Sequence, residues 1–102
     1  MPTIEQLEKL LALDPSDPFV HYGLGQEHAN AGDHTKAIAC YDQTLALDPV
    51  YCYAYFFKAQ SLQELGHPDQ AIECVKLGIT KARESNDMHA ASELAGLLDE
   101  IE

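Results

Sequence analysis

A chain of 102 residues with 46% hydrophobic content suits one small domain and is too short for two ordinary cores. Its 6 Lys and Arg stand against 17 Asp and Glu, a formal net charge of -11, which repels polyphosphate backbones and anionic lipid surfaces and argues against nucleic acid or a membrane as partner. The 3 cysteines form no C-x-x-C pair, which argues against a disulfide framework and a structural zinc site and leaves reduced thiols.

The first element spans residues 1–15, where "IEQLEKLLALDP" carries Ile4, Leu7, Leu10 and Leu11 at helical spacing. Its apolar run is too short and too interrupted by Glu for a signal segment, and no stretch approaches a membrane span, so the cytoplasm is the expected location. Asp17 and Pro18 then supply an N-cap and a proline at the first helical position, opening a helix that runs through "FVHYGLGQEHANA" to Gly32. Asp33 caps the next, "HTKAIACYDQTLAL", which must stop before Pro49 because proline disfavours helical geometry in the residue preceding it. The same grammar follows in "YCYAYFFKAQSLQEL", Gly66, His67 at the cap, Pro68 and "DQAIECVKLGITKARE". That last helix is expected to end near Ser85 to Asp87. A final helix within 87–102 places Leu94, Leu97, Leu98 and Ile101 on one face and Glu93, Asp99, Glu100 and Glu102 on the other. Six helices and no strand make the chain all-α.

Two of these stretches repeat each other. "LALDP" at Leu11 to Pro15 recurs 34 residues later at Leu45 to Pro49, and Gly32 and Gly66, Ala37 and Ala71, Ile38 and Ile72, and Cys40 and Cys74 keep the same spacing. Leu24, Gly25, Ala37, Tyr41, Leu45 and Pro49, answered by Ala59, Leu62, Ala71, Val75, Gly78 and Ile79, resemble the tetratricopeptide repeat family. The layout, the Asp-Pro-Phe opening and the acidic last helix are similar to small stand-alone bacterial members. The resemblance implies an α-solenoid wound as a short right-handed superhelix. Two helix-turn-helix units, 18–51 and 52–85, would be flanked by an N-terminal half-repeat helix at 1–15 and a capping helix at 87–102, since each unit buries its apolar face only against neighbours. Lys58 and Arg83 depart from the pattern, standing where it has a leucine and the closing proline; His21 and His28 replace common aromatics.

In that family the first helix of each unit lines a concave groove. Carried over, Phe19, Tyr22 and Gln26 of the first unit and Tyr53, Phe56 and Gln60 of the second should face the groove. Tyr55 and Leu62 should turn inward, and Phe57 should sit at the border between units. The crowded "YAYFF" is thus read as a helix with two apolar faces. The implied function is a protein-interaction module that binds a peptide or partner segment with apolar anchors and flanking Lys or Arg, steered by the acidic rim. A chaperone-tail carboxylate clamp is rejected, because the corresponding places hold Phe, Tyr, Gly and Gln rather than Lys, Asn and Arg. Two alternatives stand beside the groove: occupation by the last helix through Ala91, Ser92 and Gly96, and self-association through the same aromatics or the open side of the first helix. A monomer is favoured over a homodimer, and Phe56→Ala should then leave stability nearly intact.

Catalytic, metal and cofactor sites are not expected. His21 and His28 lie two helical turns apart but lack a third ligand and are read as packing residues, while Lys58 should carry its ammonium toward Glu27 or Glu64. No phosphate loop, nucleophile elbow or carboxylate pair is present in the sequence.

Overall fold

The computed structural model describes residues 2–102, so Met1, part of the expected 1–15 element, lies outside the described residues. Six helices follow one another: α1 (Ile4–Leu13), α2 (Pro18–Asn30), α3 (His34–Leu47), α4 (Cys52–Glu64), α5 (Pro68–Glu84) and α6 (Met88–Ile101). Among the described residues there is no strand.

Local chemistry sets the boundaries. Thr3 and Gln6 form a reciprocal capping box at the start of α1, a T-x-x-Q signal visible in the sequence. The side chains of Asp17, Asp33 and Asp87 accept from the first-turn N–H groups of α2, α3 and α6. Both "LALDP" segments stop in the same conformation, with Asp14 at φ -146°, ψ 89° and Asp48 at φ -142°, ψ 91°, the extended geometry that a following proline demands. Gly32 and Gly66 take positive φ, 83° and 81°. At each, the next residue's N–H reaches back to the fifth carbonyl before it, Asp33 to His28 and His67 to Leu62, closing a Schellman motif. The α5–α6 turn repeats this motif with Asn86 at φ 59° and Asp87 bonded to Ala82. Asparagine is the residue other than glycine that best tolerates this region, so α5 ends at Glu84, one residue before the expected range of Ser85 to Asp87.

Consecutive helices pack as antiparallel neighbours. In addition α2 meets α4 and α4 meets α6, whereas the backbones of α1 and α3, and of α3 and α5, do not approach each other. The layer α2/α4/α6 is therefore the compressed, concave one and α1/α3/α5 the splayed, convex one. Tyr41, Val75 and Leu94 are fully buried between the layers, and Tyr55 and Leu62 turn inward as expected. In α1, Leu7 is buried with Ile4 and Leu11 beside it, but Leu10 is 47% exposed. The covering stripe thus omits Leu10, because α1 meets α2 alone and presents only one edge to it.

Small residues control how closely the layers approach. A Cβ on Gly78 would lie 2.7 Å from the Tyr55 Cβ and 3.2 Å from a Leu94 methyl. The first of these atoms is fixed to the α4 backbone, so α4 and α5 would have to separate. Gly96 meets nothing within 4 Å. The same substitution should therefore have opposite signs at the two sites. Gly78→Ala is expected to destabilise by about 1–3 kcal/mol through overpacking, and Gly96→Ala to stabilise by roughly 0.5–1 kcal/mol through helix propensity. Urea midpoints check both, and equal shifts of the same sign would contradict the α4–α5 contact.

That open site at Gly96 also bears on the alternative that the last helix occupies the groove through Ala91, Ser92 and Gly96. Ser92 is exposed as well, and α6 buries Leu94 and Leu97 while packing on α5 and touching α4. Of the three small residues, Ala91 is buried in the core while Ser92 and Gly96 are open, so α6 does not fill the groove through all three and instead adds a third helix to the concave layer.

Candidate functional site: the concave groove

The seam between α2 and α4 is lined by aromatics and amides. Tyr22 sits 4.9 Å from Tyr51 between ring centroids, 6.1 Å from Tyr41 and 6.2 Å from Phe57, and Phe57 meets Phe56 edge-on at 5.1 Å, separations at which tilted aromatic pairs attract. Burial, with Tyr51 and Tyr53 nearby, pushes the Tyr22 phenol up to about 12. The Tyr41 hydroxyl donates to Gln26 Oε1, fixing the amide so that its NH2 remains available.

Toward the C-terminal ends of α2 and α4 the seam opens into a cleft of about 430 Å³. Gln26, Ala29 and Asn30 line it from α2, Phe57, Gln60, Ser61, Gln63 and Glu64 from α4, and His34 and Tyr41 from α3. His34 Nδ1 lies 3.0 Å from the buried Ser61 Oγ, a bond that joins α3 to α4. At the other seam, Tyr53 donates to Glu93 of α6 at 3.1 Å, and His89 pairs with the same carboxylate.

The six residues expected in the groove thus occupy four environments. Gln26 and Gln60 share the cleft. Tyr22 and Phe56 are half-buried in or beside the aromatic cluster, Phe56 also resting on the main core. Tyr53 belongs to the α4–α6 seam, and Phe19, at the start of α2, is 66% exposed. Because Phe56 packs on the core of a single chain, Phe56→Ala costs stability in a monomer, and the expectation of near-intact stability is corrected. Phe57 sits at the border between units as expected, meeting Tyr22 of the first, but spacing did not show that it lines the cleft, and it missed His34, Ser61 and Glu64. Phe57 has Gly23 as its counterpart in the first unit, so the repeat offered no aromatic there; His34 and Ser61 meet only through the packing of α3 on α4.

A second cleft of about 400 Å³ is lined by Tyr55, Lys58, Leu62, Gln70, Glu73, Cys74 and Leu77. Lys58 Nζ pairs with Asp42 Oδ1 of α3 at 2.6 Å, not with Glu27 or Glu64. The ammonium leaves α4 toward the convex layer, where Asp42 is the carboxylate within reach. Beside it the Cys74 thiol donates to the Tyr55 carbonyl, and burial pushes it up to about 11. Near pH 8 roughly one such thiol in a thousand would be ionised. Cys40 is half-exposed, whereas Cys52 and Cys74 are buried, and all three are free. Alkylation by iodoacetamide followed by mass spectrometry is expected to label Cys40 first and Cys74 last; equal rates at Cys40 and Cys74 would contradict the α4–α5 packing.

Elsewhere, His21 donates from Nε2 to the Pro15 carbonyl at 2.8 Å, bracing the α1–α2 turn. Among the described residues no group of three or more His, Cys, Asp or Glu is placed to hold a metal, and no helix is long and apolar enough to cross a membrane.

Family models described as Tetratricopeptide repeat match residues 18–51 and 53–80. The solution structure of a tetratricopeptide repeat domain protein from Salinibacter ruber is 32% identical, with a TM-score of 0.80 over 87% of this chain and 90% of that one. The chain belongs to the tetratricopeptide repeat family. Among curated relatives, this tetratricopeptide repeat chain is 26% identical over 99 residues to TPR repeat-containing protein PA0015 of Pseudomonas aeruginosa, covering 97% of this chain and 94% of the relative. It is 30% identical over 74 residues to Superkiller protein 3 of Saccharomyces cerevisiae, where it spans 72% of its own length but only 5% of that protein. The complex of the TPR2B domain of yeast Sti1 with pHsp70 has a TM-score of 0.90 at 21% identity, over 96% of this chain and 78% of that one, a likeness of fold.

Proposed function

We propose that this chain is a protein-interaction module that holds a peptide or partner segment in its concave groove. The observation that carries the reading is the open cleft between α2 and α4, where Gln26 and Gln60, equivalent positions of the two units, come together beside an aromatic wall. Side-chain amides can bond an extended backbone while the rings supply apolar contact. The Sti1 domain, with the same fold, is in complex with pHsp70; here no Lys or Arg lines the cleft, so the ligand chemistry differs from a carboxylate clamp. A net charge of -11 favours a segment whose apolar anchors are flanked by Lys or Arg.

Peptides selected from a displayed library against the full chain, mapped by amide chemical shifts, test this. Shifts centred on the cleft lining of α2 and α4 together with His34 and Tyr41 of α3, with affinity reduced by Gln60→Ala and by added salt but not abolished by salt, are expected. Gln60 is exposed, so its truncation reports binding with little effect on stability. Shifts confined to α5 and to α3 away from His34 and Tyr41 would overturn the reading.

A second reading, self-association, is favoured by one observation: Leu13 is 84% and Phe19 66% exposed near the α1–α2 turn. Two copies meeting there would also bring two acidic chains together. Sedimentation is therefore expected to give a monomer, and a dimer lost on Phe19→Ser would reverse the order of the two readings.

A further inference from the structure

We propose that the α2–α4 cleft is an arginine-accepting subsite, reading one guanidinium of the bound segment. The inference rests on the groove being the ligand face and names the chemistry of one of its pockets. A cleft of about 430 Å³ has room for a long side chain together with a stretch of backbone. Its polar lining is almost wholly neutral: the amides of Asn30, Gln60 and Gln63 supply carbonyl acceptors, while Gln26 has already committed its carbonyl to Tyr41. Glu64 is the one carboxylate in the lining, and among the described residues no Lys or Arg lies within ion-pair distance of it. The rest of the lining is Ala29, the bonded pair of His34 Nδ1 and Ser61 Oγ, and an aromatic wall formed by Phe57 with Tyr41 behind it.

Those three features match different parts of one group. A guanidinium is planar, stacks on aromatic faces, and presents a fork of N–H donors suited to a carboxylate with neighbouring carbonyls. A lysine ammonium would satisfy the carboxylate but gains less from the flat wall and is more strongly hydrated. A carboxylate ligand finds no Lys or Arg in the lining and meets a chain of net charge -11. Glu64 lies at the last residue of α4, outside the core, so removing its charge leaves the fold in place.

The test uses the full chain and small probes: N-acetyl-arginine amide, its citrulline counterpart, which is neutral and nearly isosteric, and N-acetyl-lysine amide. Each is titrated while the side-chain amide resonances of Asn30, Gln60 and Gln63 are followed. Arginine amide is expected to give saturable shifts there, lysine amide to bind more weakly, and citrulline amide to give none. Glu64→Gln should weaken arginine amide about tenfold, the loss that accompanies removal of a charged hydrogen bond. Equal shifts from arginine and citrulline, or an unchanged affinity in Glu64→Gln, would overturn the subsite. Selected peptides that map to α2 and α4 yet tolerate replacement of every arginine would also overturn it while leaving the groove reading intact. Peptides that map to α5 and to α3 away from His34 and Tyr41, while arginine amide still saturates the cleft, would instead sink the groove reading and support the cation pocket.

Discussion

Truncating Tyr41 to alanine is expected to cost about 3–5 kcal/mol, the range for deleting a fully buried aromatic side chain. The residue is 0% exposed. Its ring fills the space that Gly25 leaves empty on α2, meets Tyr22, and packs with Phe57 from α4, so one side chain joins three helices across both units. A domain of this size has about 5–15 kcal/mol in total, and the variant should be partly unfolded at ambient temperature, as urea or thermal denaturation would show. Tyr41→Phe is the control: it keeps the ring and removes only the donor to Gln26, a loss of about 1 kcal/mol. The pair also predicts a reversal. A Cβ on Gly25 would sit 2.5 Å from Tyr41 Cε1, so Gly25→Ala should destabilise the native chain. In the Tyr41→Ala background the same change meets a cavity and adds helix propensity, so it should stabilise. Additive effects of the two substitutions would show that Gly25 and Tyr41 are not in contact.

The helix boundaries were legible because the chemistry that sets them is local. A cap or a proline acts on its own neighbours, and Asp17-Pro18, Gly32, Pro49 and Gly66 therefore announce where helices start and stop without reference to the rest of the chain. Inward and outward faces were legible one step further, through helical spacing, which turns Tyr55 and Leu62 inward. The pairings were not. Lys58 was assigned to carboxylates of α2 or α4 because the sequence gives no measure of how far α3 comes round to meet α4, and Asp42 is placed there by the crossing of those helices. The cleft shows the same limit. Gln26 and Gln60 follow from the 34-residue repeat, which carries equivalent positions onto one face. Phe57 and Phe56 are consecutive and differ by about a quarter-turn of helix. The first unit has Gly23 opposite Phe57, so the repeat could not show which ring lines the cleft. The His34–Ser61 bond spans 27 residues and has no counterpart in the repeat period at all.

Alkali is expected to unfold the protein in one cooperative step. Burial holds the phenols of Tyr22, Tyr41, Tyr51 and Tyr55 above their ordinary value, with Tyr22 at about 12. In the unfolded chain these groups ionise near 10. Below that pH both states keep their phenolic protons and the contribution to stability is complete. Between pH 10 and 12 the unfolded chain has released protons that the folded chain still binds, so stability falls as pH rises. The buried thiols act in the same direction from a lower starting point, Cys74 being held at about 11 against an ordinary thiol near 8.5. Lysines lose their charge over the same range, which raises an already negative net charge and adds self-repulsion. Following phenolate absorbance and helical circular dichroism on one sample tests the linkage. The absorbance should lag behind free tyrosine and then rise together with the loss of helix. Tyr22→Phe, which removes one such group but keeps its ring packing, should move the midpoint to higher pH. Phenols that ionise one by one near pH 10 while the helices persist would mean that water reaches the aromatic cluster freely, and the wall assigned to the groove would then not exist as a packed surface.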